Sequence, residues 1–267
     1  MDFKSYTTIG FERRGRILTI ILNRPQRMNA VDGVMHAELS RVFSDAALDK
    51  DSDVIVLTGT GRAFSAGGDF DWLHAMIEDP EEYNKAGADA KRIIFSLLDC
   101  EKPILAKVNG PAAGLGATLA LFCDVIFAKE SASIGDPHVS AGFVAGDGGA
   151  VIWPQLVGYA RAKEYLMTGT MIPAPEAARM GLINHAVKDE ELDARVDAFA
   201  DQLSQGALQA IRWTKVAVNI GLKQLASSIL DASLAYELLT NYSADHREAV
   251  DAFRSKRKPV FSRGAVS

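Results

Sequence analysis

The fold is decided by one stretch of the chain, NGPAAGLGATLALFCD at residues 109–124. A short apolar run at 104–108 precedes it and a second run, DVIFA at 124–128, ends it; both are typical of β-strands. The glycine-rich turn at 109–116 leads into a helical segment at 117–122. Because glycine tolerates unusual backbone angles, such a turn lets a ligand approach the main chain closely. The stretch therefore predicts a strand–turn–helix–strand unit with a binding turn.

The segments before this stretch follow the same alternation. We predict strands at 16–22 and 53–58. We also predict helices at 32–46 and 81–98, the first capped by Asp32. The apolar run of the second strand is continuous, as expected where both faces of a sheet are covered. The order predicts an α/β fold with mainly parallel strands.

The C-terminal part of the chain differs in character, since residues 150–257 are predicted to be nearly all helix. Five side chains of the last long helix fall on one face: Leu225, Ile229, Ala232, Tyr236 and Leu239. That face indicates either packing against the core or a contact with another subunit.

Composition limits the classes of protein and of site. The 267 residues and 48% apolar content are enough for one large domain, or for one domain with an appendage. A net charge of −5 argues against a broad nucleic-acid-binding surface. The two cysteines, Cys100 and Cys123, indicate neither a disulfide framework nor a zinc site. Without a run of ~20 apolar residues or a signal-peptide pattern, we predict a cytoplasmic protein with no membrane partner.

A second glycine-rich turn, FSAGGD at 64–69, follows the strand at 53–58. Backbone N–H groups at a helix start have no partner within the helix and lie at the favourable end of its dipole. Two such turns can direct two N–H donors at one oxygen, which suits a thioester carbonyl becoming an enolate. Glycine-rich turns are common in α/β proteins, but neither turn here spells a nucleotide-binding GxxxxGK[ST] or GxGxxG motif.

Several ordered motifs together resemble the crotonase (enoyl-CoA hydratase/isomerase) superfamily. The turns at 64–69 and 109–124 resemble its FxAGxD and NGxAxGGGxxLAxxCD patterns. Further resemblances lie in LNRPQRMNA at 22–30, LMTG at 166–169, AARMGLIN at 177–184 and AFRSKRKP at 252–259. The resemblance implies a spiral of ββα repeats over residues 1–200 and a helical trimerisation region over 201–267. It also implies a homotrimer or a dimer of trimers.

The resemblance assigns site residues as well. The backbone N–H groups of Gly68 and Leu115 would form the oxyanion hole. Residues expected along the path of a CoA thioester are Arg24, Arg27, Ala30, Ala66, Asp69, Phe253 and Lys256. Of these, Arg24 and Arg27 would lie near the CoA phosphates, while Phe253 and Lys256 would reach CoA bound to a neighbouring subunit. CoA enters as part of an acyl-CoA substrate, and no separate cofactor or metal is implied.

The sequence departs from the two-glutamate pattern of typical hydratases. Thr118 and His138 stand where the glutamates are expected, and Asp147 follows His138 in the segment AGDGG. A histidine with a carboxylate can form an acid–base dyad in which the carboxylate fixes the imidazole tautomer. The same block resembles the β-diketone hydrolases of the superfamily. Alternatively, His138 lies in a surface loop and Asp147 caps the helix that begins near Gly148.

Three functions follow in order of preference. The first is an acyl-CoA enzyme of the hydratase/isomerase type in which His138 and Asp147 replace the glutamates. The second is a carbon–carbon hydrolase acting on a β-diketone or β-ketoacyl substrate, and the third is a non-catalytic CoA-binding protein. Asp69 is interpreted as a cap that orders its turn, and the other histidines as structural or exposed: His36, His74, His185 and His246.

Overall fold

The computed structural model describes residues 3–262, with the exception of the Pro80 side chain. In chain order, the strands of this part are β1 (Ile9–Arg14), β2 (Ile17–Leu22), β3 (Val54–Gly59), β4 (Ile104–Val108), β5 (Ala112–Ala113), β6 (Val125–Lys129), β7 (Ser133–Gly135), β8 (Ile172–Pro173) and β9 (His185–Val187). The α-helices are α1 (Gly33–Leu48), α2 (Phe70–Glu78), α3 (Pro80–Asp99), α4 (Leu115–Leu121), α5 (Gly149–Thr168), α6 (Ala174–Arg179), α7 (Leu192–Ser204), α8 (Leu208–Asn241) and α9 (Ala244–Arg254).

The larger sheet has the strand order β1-β2-β3-β4-β6-β9. The β1–β2 pair is antiparallel and every later pair is parallel, with Ile20 opposite Leu57 in the β2–β3 register. All six residues of β3 are buried, as its continuous apolar run predicts. The prediction of a mainly parallel α/β fold is therefore confirmed.

A smaller sheet, of order β5-β7-β8, lies beside the larger one. Consecutive strands alternate between the two sheets, since β4 and β6 belong to the first while β5 and β7 belong to the second. Isolated bridges extend this pattern to earlier turns of the chain, joining Ser65 to Ala112 and Val31 to Gly68. Two strands followed by a helix thus form the repeating unit, and the crotonase-like spiral is confirmed.

The helices cover both faces of the larger sheet. On one face, α1 and α3 pack together over the side chains of Leu18, Ile20 and Leu57. On the other face, α7 covers the alternate side chains of the same strands, such as Val54 and Val56. Each large apolar side chain fully buried here stabilises the fold by about 1.5–3 kcal/mol. Among residues 3–262, no helix combines the length and apolarity needed to cross a bilayer.

The prediction that residues 150–257 are nearly all helix is wrong in two places. Ile172–Pro173 and His185–Val187 are strands, the second of which adds to the edge of the larger sheet beside β6. Two or three residues carry no recognisable periodicity, and their partners lie far away in the sequence. The helix α5 also contains a break, since Gly158 has φ 78°.

The inward face of α8 differs from the predicted stripe. Tyr236 and Leu239 are 62% and 68% exposed. Over residues 226–241, the buried residues of α8 follow the members of the stripe by one position, or by two in the case of Asn241. They are Ala226, Leu230, Ser233, Glu237 and Asn241. Of the stripe, Ile229 packs against the core, whereas Ala232, Tyr236 and Leu239 are exposed, so core packing accounts for only part of it. Because most of the buried residues of α8 are polar, hydrophobicity does not mark its inward face.

Candidate active site

One cavity of about 310 Å³ collects the residues that the two glycine-rich turns and the helices α2, α3, α8 and α9 supply. Its polar and charged members include His36, His138, Asp147 and Glu237. Its apolar wall includes Phe70, Trp72, Leu73, Met76, Phe143, Leu234 and Phe253. A mainly apolar cavity with a few convergent polar groups is typical of a small-molecule site.

The two glycine-rich turns are held against each other by their backbones. Ala113 donates its N–H to the carbonyl oxygen of Ser65 at 2.9 Å. Gly67 has φ 86°, and a Cβ at this position would lie 2.8 Å from the carbonyl oxygen of Ala113. Only glycine combines this backbone angle with so close an approach. The local sequence therefore sets the spacing between the turns.

The N–H groups of Gly68 and Leu115 lie in these turns, and both residues line the cavity. Within residues 3–262, neither group donates a hydrogen bond. Leu115 is the first residue of α4, where backbone N–H groups have no partner inside the helix. Gly114, which precedes it, has φ 51°. Two free donors beside one cavity meet a first requirement of an oxyanion hole, and that role stays a prediction.

His138 lies directly beside the second turn. It begins a short 3-10 helix, His138–Ala141, that follows β7. A Cβ on Gly114 would lie 3.4 Å from Cε1 of the imidazole, so the ring packs against the turn that carries the Leu115 N–H. The His138 side chain is only 13% exposed, so it does not lie in a surface loop.

Two carboxylates contact the imidazole from opposite sides. Nδ1 of His138 is hydrogen-bonded to Oδ1 of Asp136, and Nε2 lies 3.6 Å from Oδ2 of Asp147. The sequence hypothesis gave Asp147 the task of fixing the tautomer, but the structure gives that position to Asp136. Asp147 instead faces the nitrogen that points toward the cavity. Asp136 lies only two residues before His138, and this proximity could have identified it from the sequence.

Thr118 supports Asp147 rather than the cavity. It is fully buried, and its hydroxyl donates to Oδ1 of Asp147 at 3.3 Å. The N–H group of Gly149 also favours the ionised form of Asp147, as expected of a carboxylate near the start of α5. Asp147 therefore both faces His138 and interacts with a helix terminus, so its two predicted roles are compatible.

Glu237 completes the cluster from α8. It is 8% exposed and lines the same cavity as His138 and Asp147. A Cβ on Gly146 would lie 2.6 Å from Oε2 of Glu237, so glycine at 146 makes room for this carboxylate. No motif marks Glu237 in the sequence. Glu237 is unusual only because it is a charged residue on the inward face of α8. The sequence does not show which face of α8 is the inward one.

The charged groups of the cluster shift the pKa values of one another. Burial alone would lower the pKa of His138, but the carboxylates of Asp136 and Asp147 outweigh it and raise the pKa to about 10. Burial raises the pKa of Asp147, and it raises the pKa of Glu237 well above its ordinary range. Repulsion from the neighbouring carboxylates raises both pKa values further. At neutral pH the imidazole is therefore charged.

The same cluster has the composition of a metal site. Asp136, His138 and Asp147 each place one ligand atom within 4.8 Å of the others. Asp136, however, is 1% exposed and directs Oδ1 at the imidazole, while its Oδ2 has no hydrogen-bond partner within residues 3–262. The absence of a metal stays a prediction.

Arg24 and Asp69 form a structural clamp between the loop at 22–30 and the first turn. The guanidinium of Arg24 lies 3.1 Å from Asp69 and 3.0 Å from Asp32, and it donates to the carbonyl oxygen of Ala30. Asp69 also accepts from the N–H of Asp71 at 3.0 Å, which confirms that it caps its turn. None of these contacts faces the cavity, so a phosphate-binding role for Arg24 stays a prediction.

The other predicted CoA-binding residues are distributed more widely. Ala66 lines the cavity, whereas Ala30 is buried behind the clamp. Arg27 is on the surface, where it pairs with Asp71 at 3.2 Å. Its role at a phosphate stays a prediction.

The C-terminal tail closes over the cavity of its own chain. Phe253 stacks on Phe70 with ring centroids 3.6 Å apart and an angle of 10°, and both rings line the cavity. Lys256 is exposed, and Arg257 is the basic residue of the tail that lines the cavity. Contact of Phe253 and Lys256 with a neighbouring subunit stays a prediction.

Comparison with known proteins identifies the scaffold. Residues 12–264 match the family description of enoyl-CoA hydratase/isomerase. The chain belongs to the enoyl-CoA hydratase/isomerase family. It is 38% identical to a probable enoyl-CoA hydratase of Rhodobacter capsulatus over 265 residues, which are 97% of this chain and 99% of that protein.

Solved structures of this family agree with the fold. An enoyl-CoA hydratase/isomerase from Mycobacterium paratuberculosis is 37% identical with a TM-score of 0.89, over 92% of this chain and 99% of that chain. A β-diketone hydrolase from the cyanobacterium Anabaena, bound to (S)-3-oxocyclohexyl acetic acid, is 30% identical with a TM-score of 0.84, over 90% of this chain and 96% of that chain. The family thus includes neighbours with both of the predicted chemistries.

Proposed function

We propose that this acyl-CoA-processing enzyme adds water to an enoyl-CoA thioester or moves its double bond. His138 takes over acid–base catalysis from the glutamates of typical hydratases. One observation carries the proposal: the imidazole of His138 packs beside the turn that holds the free Leu115 N–H. A proton donor and an oxyanion hole are thereby next to each other, as an enolate intermediate requires.

The reaction proceeds through the thioester enolate. The carbonyl oxygen accepts hydrogen bonds from the N–H groups of Gly68 and Leu115, which stabilises the charge that develops on it. In a hydration, a carboxylate accepts a proton from water while the water oxygen bonds to Cβ. The enolate is then protonated at Cα by Nε2 of His138. In an isomerisation, the same groups remove a proton from one carbon and return it to another.

The carboxylate that accepts the proton is Asp147 or Glu237, because both line the cavity and have raised pKa values. A carboxyl group with a raised pKa is a stronger base than an ordinary one and suits acid–base chemistry near neutral pH. Thr118 does not take part, since its buried hydroxyl is directed at Asp147.

Turnover of a small panel tests this proposal: crotonyl-CoA, a branched enoyl-CoA, a β-ketoacyl-CoA and a free cyclic β-diketone. We expect turnover of an enoyl-CoA, and a loss of about 10²- to 10⁴-fold in the His138→Ala variant. The control is His74→Ala, which removes a histidine outside the cavity lining and should retain full activity. Full activity of His138→Ala would contradict the mechanism, and binding without turnover would favour the non-catalytic alternative.

Hydrolysis of a carbon–carbon bond is the second candidate. The arrangement of His138 between two carboxylates favours it, as does the likeness to the Anabaena hydrolase. Water activated by the acid–base cluster would add to one carbonyl carbon, and the bond to the adjacent carbon would break. The leaving enolate would be held by the two N–H groups and protonated by His138. Turnover of the free diketone alone would select this function.

We further propose a homotrimer or a dimer of trimers. The exposed apolar side chains of α8 support it: Trp213, Val218, Ile220, Tyr236 and Leu239. Exposed apolar side chains that join into a large patch mark protein–protein contact surfaces. Light scattering tests the assembly, and a monomer would contradict it. A cytoplasmic location stays a prediction.

A further inference from the structure

A second histidine, His36 on α1, lines the same cavity as the proposed catalytic groups. It is 5% exposed, and its ring lies 5.1 Å from the ring of Trp72. Within residues 3–262, its ring nitrogens have no hydrogen-bond partner, and neither is among the fully buried polar atoms that lack one, so the ring is accessible from the cavity. Buried polar groups are nearly always paired, because an unpaired donor or acceptor costs about 1–3 kcal/mol. The imidazole of His36 is instead a polar group that opens onto a mainly apolar cavity, where a bound ligand can pair with it.

The neighbouring polar groups are already occupied. Nε1 of Trp72 donates to Oε1 of Glu82 at 3.2 Å. Asp89 accepts from Arg92 at 2.7 Å and influences His36 through its charge alone. The remaining wall nearby is apolar, formed by Leu73 and Met76 of α2. A polar atom that pairs with His36 therefore comes from what occupies the cavity, which is water in the free protein and can be a ligand atom in a complex.

The charge state of His36 limits the chemistry of that atom. Burial lowers the pKa of His36 to about 4, so the ring is neutral at physiological pH. A neutral imidazole offers one N–H donor and one nitrogen acceptor. It can pair with a hydroxyl or a carbonyl group, but it cannot compensate the cost of burying a carboxylate.

We propose that His36 forms a polar subsite of the acyl-binding cavity, selecting acyl groups that carry a hydroxyl or keto group remote from the thioester. This inference rests on the proposed acyl-CoA function and narrows its substrate class. His36 lies on α1, which supplies neither the oxyanion donors nor the acid–base groups. It acts on specificity, and the remote polar group of the substrate provides the partner that the protein lacks.

Binding of a matched pair of saturated acyl-CoA esters tests the subsite: hexanoyl-CoA and its counterpart with a hydroxyl or keto group at the end of the acyl chain far from the thioester. We expect calorimetry to give a dissociation constant at least about tenfold lower for the polar ester with the wild type. His36→Phe keeps an aromatic ring but no hydrogen-bonding atom, and should abolish the preference. His36→Gln has both a donor and an acceptor, and should restore part of it.

A second measurement does not depend on how well the variants fold. In ¹⁵N spectra of the wild type, the polar ester should shift a ring nitrogen of His36, and hexanoyl-CoA should leave it unchanged. Equal binding of both esters by the wild type, or a preference that persists in His36→Phe, would overturn the inference while leaving the acyl-CoA function intact. If neither ester binds, the proposed function itself fails, and the inference fails with it.

Discussion

Asp136 and Asp147 divide the two nitrogens of His138 between them, Asp136 at Nδ1 and Asp147 at 3.6 Å from Nε2. The Nδ1 contact fixes the ring, Cε1 packs against the turn of Gly114, and Nε2 faces Asp147 at the cavity. Asp136 thereby orients the imidazole, and the carboxylates of Asp136 and Asp147 both favour its charged form. In the proposed mechanism, this arrangement supplies the acid–base groups that the glutamates supply in typical hydratases.

Asp136→Asn should weaken the charge on His138. The Asp136 carboxylate helps to raise the pKa of His138 to about 10, so its removal should lower that pKa toward the ordinary value of about 6.5. A reaction that needs the charged ring loses activity as pH rises through this pKa. The alkaline limb of the kcat profile should therefore move to lower pH in the variant.

The pH profile of kcat and an NMR titration of the His138 ring measure the effect of Asp136→Asn. Asp51→Asn removes an exposed carboxylate and is the matched control, for which neither curve should move. An unchanged alkaline limb together with an unchanged ring pKa would show that Asp136 does not set the charge of His138.

Gly67→Ala should disrupt the oxyanion hole. The added Cβ would lie 2.8 Å from the carbonyl oxygen of Ala113, forcing apart the two turns that carry the N–H donors. We expect kcat/KM to fall by about 10²- to 10³-fold, the usual effect of losing an oxyanion donor. Gly15→Ala is the control, because Gly15 has φ 57° but nothing lies within 4 Å of an added Cβ. A similar loss of activity in both variants would attribute the effect to backbone strain.

Gly146→Ala should displace Glu237. The new methyl group would lie 2.4 Å from the carbonyl oxygen of Ser233 and 2.6 Å from Oε2 of Glu237, so α8 has to move. Overpacking of this kind costs about 1–3 kcal/mol in the free energy of unfolding, and kcat should fall with it. Urea denaturation and steady-state kinetics measure the two effects.

Gly221→Ala provides the control on the same helix. Nothing lies within 4 Å of a Cβ at this position, and alanine in a helix interior stabilises by about 0.5–1 kcal/mol relative to glycine. This variant should be as stable as the wild type or more so, with unchanged kcat. If Gly146→Ala behaved in the same way, the close packing of Gly146 against Glu237 would not matter for function.

Phe253→Ala should weaken substrate binding. The Phe253 ring stacks on Phe70 at the cavity wall, and loss of an aromatic pair costs about 0.5–1.5 kcal/mol. We expect KM for the acyl-CoA substrate to rise up to about tenfold, with kcat little changed. Phe261→Ala removes a partly exposed ring outside the cavity lining and should leave KM unchanged. A fall in kcat alone would contradict this role of the tail.

The sequence by itself determined the features that depend on local contacts. The strand predicted at 104–108 is observed as Ile104–Val108, and the N-cap of α1 is Asp32, as predicted. The close contact between the two glycine-rich turns is also encoded locally, because only glycine can adopt the angle and the approach seen at Gly67. Ordered motifs along the chain were sufficient to predict the family.

The tertiary structure alone decided which side chains meet. Glu237 follows Asp147 by 90 positions along the chain (237 − 147), and it joins the cluster because α8 turns a partly polar face inward. His36, interpreted from the sequence as structural or exposed, is buried at the cavity instead. Hydrophobic periodicity indicates where apolar side chains go, but a functional cavity buries polar groups against that pattern. Their positions follow from packing between distant segments, which no local stretch of sequence contains.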